Sequence, residues 1–174
     1  MTQTVIRINL SLHIYDLIPS FSTDNFQKID EIILRLNLII YQMSQHKFIK
    51  AKRWWTIQDC QSQPNYLFVY GDNNVKKGCG GQAIIRNQPN SIGIPTKKYP
   101  TNHVTSFYSD NEFDENIKHI NDALLNIIGL STKYDVVIFP QDGLGTGLAQ
   151  LPTKAPKTYQ YLQTKLHELF DINY

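Results

Sequence analysis

Residues 66–98 read YLFVYGDNNVKKGCGGQAIIRNQPNSIGIPTKK, and this stretch decides the fold class. Tyr66 to Tyr70 is a five-residue run of aromatic and aliphatic side chains. It is too short for a typical helix and reads as a buried strand. It stops at Gly71-Asp72-Asn73. A polar loop follows with Gly78, Gly80 and Gly81, then a short helical piece over Gln82 to Arg86 and a second strand over Ser91 to Thr96. An α/β domain builds anion and nucleotide sites from this order of strand, glycine loop, helix and strand. Glycine lets the backbone approach a ligand and reach positive φ, and the first amides of the next helix favour phosphate. The pattern matches neither the dinucleotide fingerprint GxGxxG nor the P-loop with its terminal Lys-Ser/Thr. Taken alone, Gly-Cys-Gly-Gly reads equally well as a turn.

Downstream the motif recurs. Asp135-VVIF-Pro140 is a nearly continuous apolar run, as expected of a strand covered on both faces. It leads straight into QDGLGTGLAQLP, with Gly143, Gly145 and Gly147. In open α/β sheets ligands sit beyond the carboxyl ends of strands. Two glycine loops, each after a buried strand, therefore point to one cleft holding an elongated phosphorylated ligand. Between them, Tyr99 to Tyr108 is irregular, and Ser109 to Glu112 reads as a capping box. Phe113, Ile117, Ile120, Leu124 and Ile127 follow at helical spacing, with Gly129 suited to the C-terminal cap. Pro156 suits the first turn of a last helix, whose apolar face carries Tyr159, Leu162, Leu166 and Leu169.

Upstream, residues 5–12 alternate as a half-buried strand, and residues 24–44 carry a helical apolar stripe behind an Asp24 N-cap. Lys47, Lys50, Lys52 and Arg53 precede Trp54-Trp55. Basic residues beside aromatics can grip single-stranded nucleic acid. The blander reading, a strand over Trp54 to Ile57 with one tryptophan in the core and the lysines solvated, is favoured. Asp59 to Asn65 reads as a polar turn.

The chain has 174 residues, 41% of them hydrophobic and 18% charged, enough for one domain with a substantial core. A formal net charge of +2 does not by itself argue for a nucleic-acid partner. No apolar run is long enough for a membrane span, and the start lacks the form of a signal peptide. Cys60 and Cys79 suggest neither a metal site nor a disulfide framework. Reduced thiols, a cytoplasmic location, no metal, no cofactor and no membrane partner are the expectations.

On these residues the chain resembles the macrodomain family. Gly71-Asp72-Asn73 with Gly80-Gly81-Gln82-Ala83 is similar to that family's Asn-containing loop and the glycine-rich start of its next helix. Leu144 to Leu151 is similar to its phosphate-cradling loop. Pro95-Thr96-Lys97-Lys98 resembles the Thr-Lys step of the branch that removes ADP-ribose from protein carboxylates or DNA bases. The resemblance spans roughly residues 52–170. It implies an α/β fold of three-layer α/β/α, macrodomain-like, mixed-sheet type over residues 1–174, with residues 1–50 as an N-terminal strand–helix addition. It implies ADP-ribose, or ADP-ribosylated protein or DNA, as partner. Two departures stand out. Ala149 occupies a position where some members carry an acidic residue, and Lys76-Lys77 is inserted before the first glycines.

Carried over residue by residue, the resemblance gives each group a role. Gly80, Gly81, Gly145, Thr146 and Gly147 would hold the diphosphate, with Gln82 and Gly143 as further ligand-binding residues. Asp72 would accept from the adenine amino group, or cap its own turn. Asn73 or Asn74 would touch the distal ribose. Lys97 would act at the anomeric carbon, which needs a lowered pKa, and Asp142 would be a general acid/base. Alternation along a strand points Lys98 away from Lys97. The bland readings are a solvated lysine at a strand end and a loop carboxylate bonded to its own backbone. Three functions follow: an ADP-ribosyl hydrolase, a non-catalytic binding module for ADP-ribose or a related NAD metabolite, and a single-stranded nucleic-acid binder.

Overall fold

Four strands form one parallel sheet in the order β1-β4-β2-β3, with the apolar β2 and β4 inside and β1 and β3 at the edges. The computed structural model describes residues 47–51 and 54–174. The strand expected at 5–12, the helix expected at 24–44, and Lys52 and Arg53 lie outside the described residues. The elements are β1 (Lys47–Lys50), α1 (Ile57–Ser62), β2 (Tyr66–Asn73), a 3-10 turn (Gly81–Ile85), β3 (Ser91–Lys97), α2 (Phe113–Ser131), β4 (Val136–Phe139), α3 (Leu151–Lys154) and α4 (Pro156–Phe170).

Alternation along the strands sorts their side chains into two cores. Leu67, Val69, Val137 and Phe139 point to one face and are buried against Ile120, Leu124 and Ile127 of α2 and Leu162 and Leu166 of α4. Phe68, Tyr70, Val136 and Ile138 point to the other. They meet Trp55, Cys60 of α1, and Ala83 and Ile85 of the 3-10 turn. The result is an α/β fold with helical layers on both faces of the sheet, compatible with a three-layer α/β/α arrangement. The mixed sheet implied by the family resemblance has no antiparallel pair among the described residues.

Several local readings are corrected. Trp54–Ile57 is not a strand. Thr56 is the N-cap of α1, bonded reciprocally with Asp59: the Asp59 amide donates to the Thr56 hydroxyl at 3.1 Å, and the Thr56 amide to the Asp59 carboxylate at 2.8 Å. A polar turn expected from Asp59 is therefore helical as far as Ser62. The strand in this region is β1, read from sequence only as scattered lysines. Gly129 does not end the long helix, which runs on to Ser131. Ser109 caps a single 3-10 turn, and Glu112 reaches across to Lys98 instead of closing a capping box. β2 is longer than expected, because Gly71, Asp72 and Asn73 continue to pair with β3.

The β2 and β3 strands, β4, α2 and α4 occur where the apolar patterns place them. Among the described residues no helix is long and apolar enough to cross a membrane.

Candidate functional site

Because the four strands are parallel, the carboxyl ends of β2, β3 and β4 lie at one edge of the sheet. From there the chain leaves β2 toward the face carrying the 3-10 turn, and leaves β4 toward the face carrying α4. β2 and β4 are neighbours, so these diverging exits open a crevice between them, where open α/β sheets bind ligands. A cleft of about 410 Å³ occupies it, within the range of small-molecule sites. Its walls are the loop after β2, the end of β3 and the loop after β4.

Gln82 joins the two loops. Its carbonyl oxygen accepts from the Gly71 amide at 3.0 Å, and its amide nitrogen donates to the Gly143 carbonyl at 3.3 Å. Gln82 therefore acts first as a strut, with both ends of its amide in use. Leu148 closes the same gap from above: a Cβ placed on Gly80 would lie 3.2 Å from its Cδ1. Gly145 sits where a side chain would be strained. Its φ is +79°, and a Cβ there would meet Leu151 at 3.0 Å and Thr96 at 3.1 Å.

Asp72 is buried in the cleft wall, and its carboxylate is already committed. It forms an ion pair with Arg86 and accepts from the Tyr70 hydroxyl at 3.2 Å and the Asn73 amide at 2.7 Å. Burial works against charge on Arg86, but the bond and charge of Asp72 outweigh it and hold the guanidinium above its ordinary value. Burial, then the Asp72 charge, pushes the Tyr70 phenol well up. Gly93 makes room for this group, since a Cβ there would fall 2.6 Å from the Asp72 side chain. A ligand amino group can reach Asp72 only by sharing a carboxylate that three donors already use.

Lys97 reaches the cleft through a register shift. Asp72 pairs with Pro95 and Asn73 with Lys97, so Thr96 is an extra residue in β3. Bulges of this kind re-aim side chains beside sites. The Lys97 ammonium donates to the Leu148 carbonyl at 3.0 Å and stands 4.1 Å from the Phe107 ring centroid. Burial lowers its pKa. Lys98 turns away, as alternation requires, and pairs with Glu112 at 2.7 Å.

Most of the other expected residues also line the cleft: Asn73, Gly80, Gly81, Asp142, Gly143, Thr146 and Gly147. Asn73, however, closes its own loop, donating to the Lys77 carbonyl at 2.8 Å and accepting from its amide at 3.2 Å. Asn74 does not line the cleft, and its carbonyl oxygen accepts from the Tyr108 hydroxyl. Asp142 is exposed, and its backbone carbonyl accepts from the Thr146 hydroxyl at 3.0 Å. Among the described residues, no acceptor takes the amide hydrogens of Gly81, Gln82, Gly145, Thr146 or Gly147. The five-residue 3-10 turn is too short for an appreciable dipole, so these amides would act as individual donors.

Arg86 and Trp54 are among the lining residues that escaped the sequence reading of the cleft. Arg86 is separated from Asp72 by a whole loop, and no local spacing marks such a pair. Trp54 reads from sequence as part of a plain strand, or less readily as a nucleic-acid contact, and not as a wall of this cleft.

The family model that matches residues 50–165 takes in this entire cleft. The chain belongs to DUF7831, a family of unknown function. Neither a curated protein nor a solved structure matches it significantly. The family region begins at the last residue of β1 and ends within α4, so both glycine loops, the bulge at Thr96 and the Asp72–Arg86 pair fall inside it.

Proposed function

We propose that this chain is a macrodomain-like protein that binds ADP-ribose or a closely related ADP-ribosyl nucleotide in the cleft between β2 and β4. The observation that carries the reading is the set of uncommitted amides of Gly145, Thr146 and Gly147 on the cleft wall. Three consecutive N–H groups on a glycine loop make a concave anion cradle, which suits a diphosphate. The buried Lys97 supplies a cation on the same cleft wall, fitted to a ribose or to the bond joining it to a modified group.

Hydrolysis of that bond is the catalytic form of the reading. A nucleophilic lysine must be neutral, and burial favours the neutral amine of Lys97. The rate would then rise with pH as Lys97 loses its proton, at a value below the 10.5 of an ordinary lysine. The non-catalytic form rests on a different observation. Lys97 is tethered to the Leu148 carbonyl, and the second loop presents Ala149, not a carboxylate, to the cleft.

Calorimetric titration with free ADP-ribose, and AMP as control, tests binding. Micromolar affinity that AMP does not match is expected; absence of heat at millimolar ligand would overturn the reading. Hydrolysis of ADP-ribosylated protein and DNA by wild type and Lys97→Ala then separates the two forms. In the catalytic form the variant loses turnover and keeps most of its affinity. If wild type shows no turnover and the variant binds more weakly, Lys97 is only a ligand contact.

A further inference from the structure

Lys97 is 6% exposed, and among the described residues no carboxylate forms an ion pair with it. A buried ammonium ordinarily has an anion for a partner. Lys97 has neutral ones instead. The Leu148 carbonyl accepts from it at 3.0 Å, and the centroid of the Phe107 ring lies 4.1 Å from its nitrogen. The Lys154 ammonium reaches the same ring at 5.3 Å. Phe107 is buried and does not itself line the cleft, whereas Lys97 does.

The ring is fixed by the chain that leaves β3. The Lys98 and Tyr99 amides donate to the Ser106 carbonyl at 2.8 and 3.3 Å. His103 caps a 3-10 turn over Val104–Ser106, its ring nitrogen accepting from the Thr105 amide at 3.4 Å. On the other side, the Tyr108 hydroxyl donates to the Asn74 side chain at 2.5 Å, just beyond β2. Phe107 is bracketed by these two anchors. A segment that reads from sequence as irregular is thus tied back to the end of the strand that carries Lys97.

A cation over an aromatic face is attracted by the ring quadrupole, more strongly where water is excluded. The ring holds the charge without consuming it. An ammonium has three hydrogens, and Leu148 takes one, so others are left for a ligand oxygen. A carboxylate in the place of the ring would bind those hydrogens and compete with the ligand. The ring also restricts a long side chain before the ligand arrives, so less freedom is lost on binding. We propose that Phe107 is a positioning residue for Lys97, holding its ammonium at the cleft wall while leaving its hydrogens to the ligand. The inference rests on the ADP-ribosyl reading for the identity of that ligand, and goes beyond it in naming what aims Lys97.

An aromatic ring shifts the proton resonances of groups held over its face upfield, which gives a readout independent of any ligand. NMR of the Lys97 ε-methylene, with calorimetric titration by ADP-ribose, on wild type, Phe107→Tyr and Phe107→Leu is therefore the test. The expected result is an upfield methylene in wild type and Phe107→Tyr and an ordinary one in Phe107→Leu. Affinity should be about fivefold weaker in Phe107→Leu and within about twofold of wild type in Phe107→Tyr. An ordinary methylene position in wild type would overturn the proposal, and that measurement needs no variant to fold. Equal affinity in wild type and Phe107→Leu would overturn it too, as would a Phe107→Tyr protein that binds as weakly as Phe107→Leu. If wild type does not bind ADP-ribose but its methylene is ring-shifted, the ADP-ribosyl reading fails and the hold of Phe107 on Lys97 is upheld.

Discussion

The two glycine loops look alike on paper and differ in how their polar groups are spent. In the first, the side chains at the end of β2 have internal partners, while the amides of Gly81 and Gln82 do not. Asp72 holds Arg86, Tyr70 and the Asn73 amide, Asn73 brackets Lys77, and Gly71 donates to Gln82. In the second, the Thr146 hydroxyl closes onto Asp142, and the amides of Gly145, Thr146 and Gly147 are left over. The strand end of the first loop is a self-satisfied frame, and the second loop, with the Gly81 and Gln82 amides, is the open surface it supports. Glycine count does not separate the two roles; the fate of each amide does.

If that contrast is right, substitutions should sort by loop. The largest effect is expected at Gly93→Ala, beneath the first loop. Its Cβ would collide with Asp72 at 2.6 Å and force apart a buried ion pair, so denaturant unfolding should show a loss of about 3 kcal/mol. Gly145→Ala comes next. It combines a positive φ with contacts of 3.0 Å to Leu151 and 3.1 Å to Thr96, and about 2 kcal/mol of destabilisation is expected by the same measurement. Gln82→Ala removes the strut and leaves the buried-side amide of Gly71 without its acceptor. It should cost about 1–2 kcal/mol and weaken ADP-ribose binding in calorimetry. The smallest stability effect, and the sharpest for the comparison, is Gly147→Ala. A Cβ there meets nothing within 4 Å, so stability should change by less than about 0.5 kcal/mol while ligand affinity falls. A Gly147→Ala protein that binds ADP-ribose as tightly as wild type would show that the second loop is not the cradle.

Much of this arrangement was legible in the sequence, because it is carried by local pattern. The apolar runs 66–70 and 136–139 admit few alternatives to buried parallel strands, and their glycine loops had to follow at the same edge. The long helix and the last helix announce themselves by period. What stayed hidden depends on contacts between distant residues. The four-residue β1 is a strand only because Phe48 and Ile49 find β4, and nothing within KFIK says so. Arg86 belongs to the site only because the loop after β2 folds back over Asp72. Thr96 is a bulge by virtue of its partner strand. The α1 helix is the exception, since Thr56 and Asp59 stand at capping-box spacing and could have been read as a helix start.

A sheet whose described pairings are all parallel also constrains how the protein is made. No two adjacent strands here can be joined by a tight turn. Phe68 must find Ser91, and Lys47 must find Val136 from the far side of the domain. Such long-range closures lose chain entropy before any pairing repays it, which slows folding. The cleft draws its walls from the ends of three strands, so it is assembled only once the whole sheet is in register. If the cleft binds ADP-ribose as proposed, a nascent or partly unfolded chain would present both glycine loops yet have no affinity for it. Binding in this cleft and completion of the fold would then be one equilibrium, and a tight ligand would raise the stability of this domain in proportion to the logarithm of its concentration.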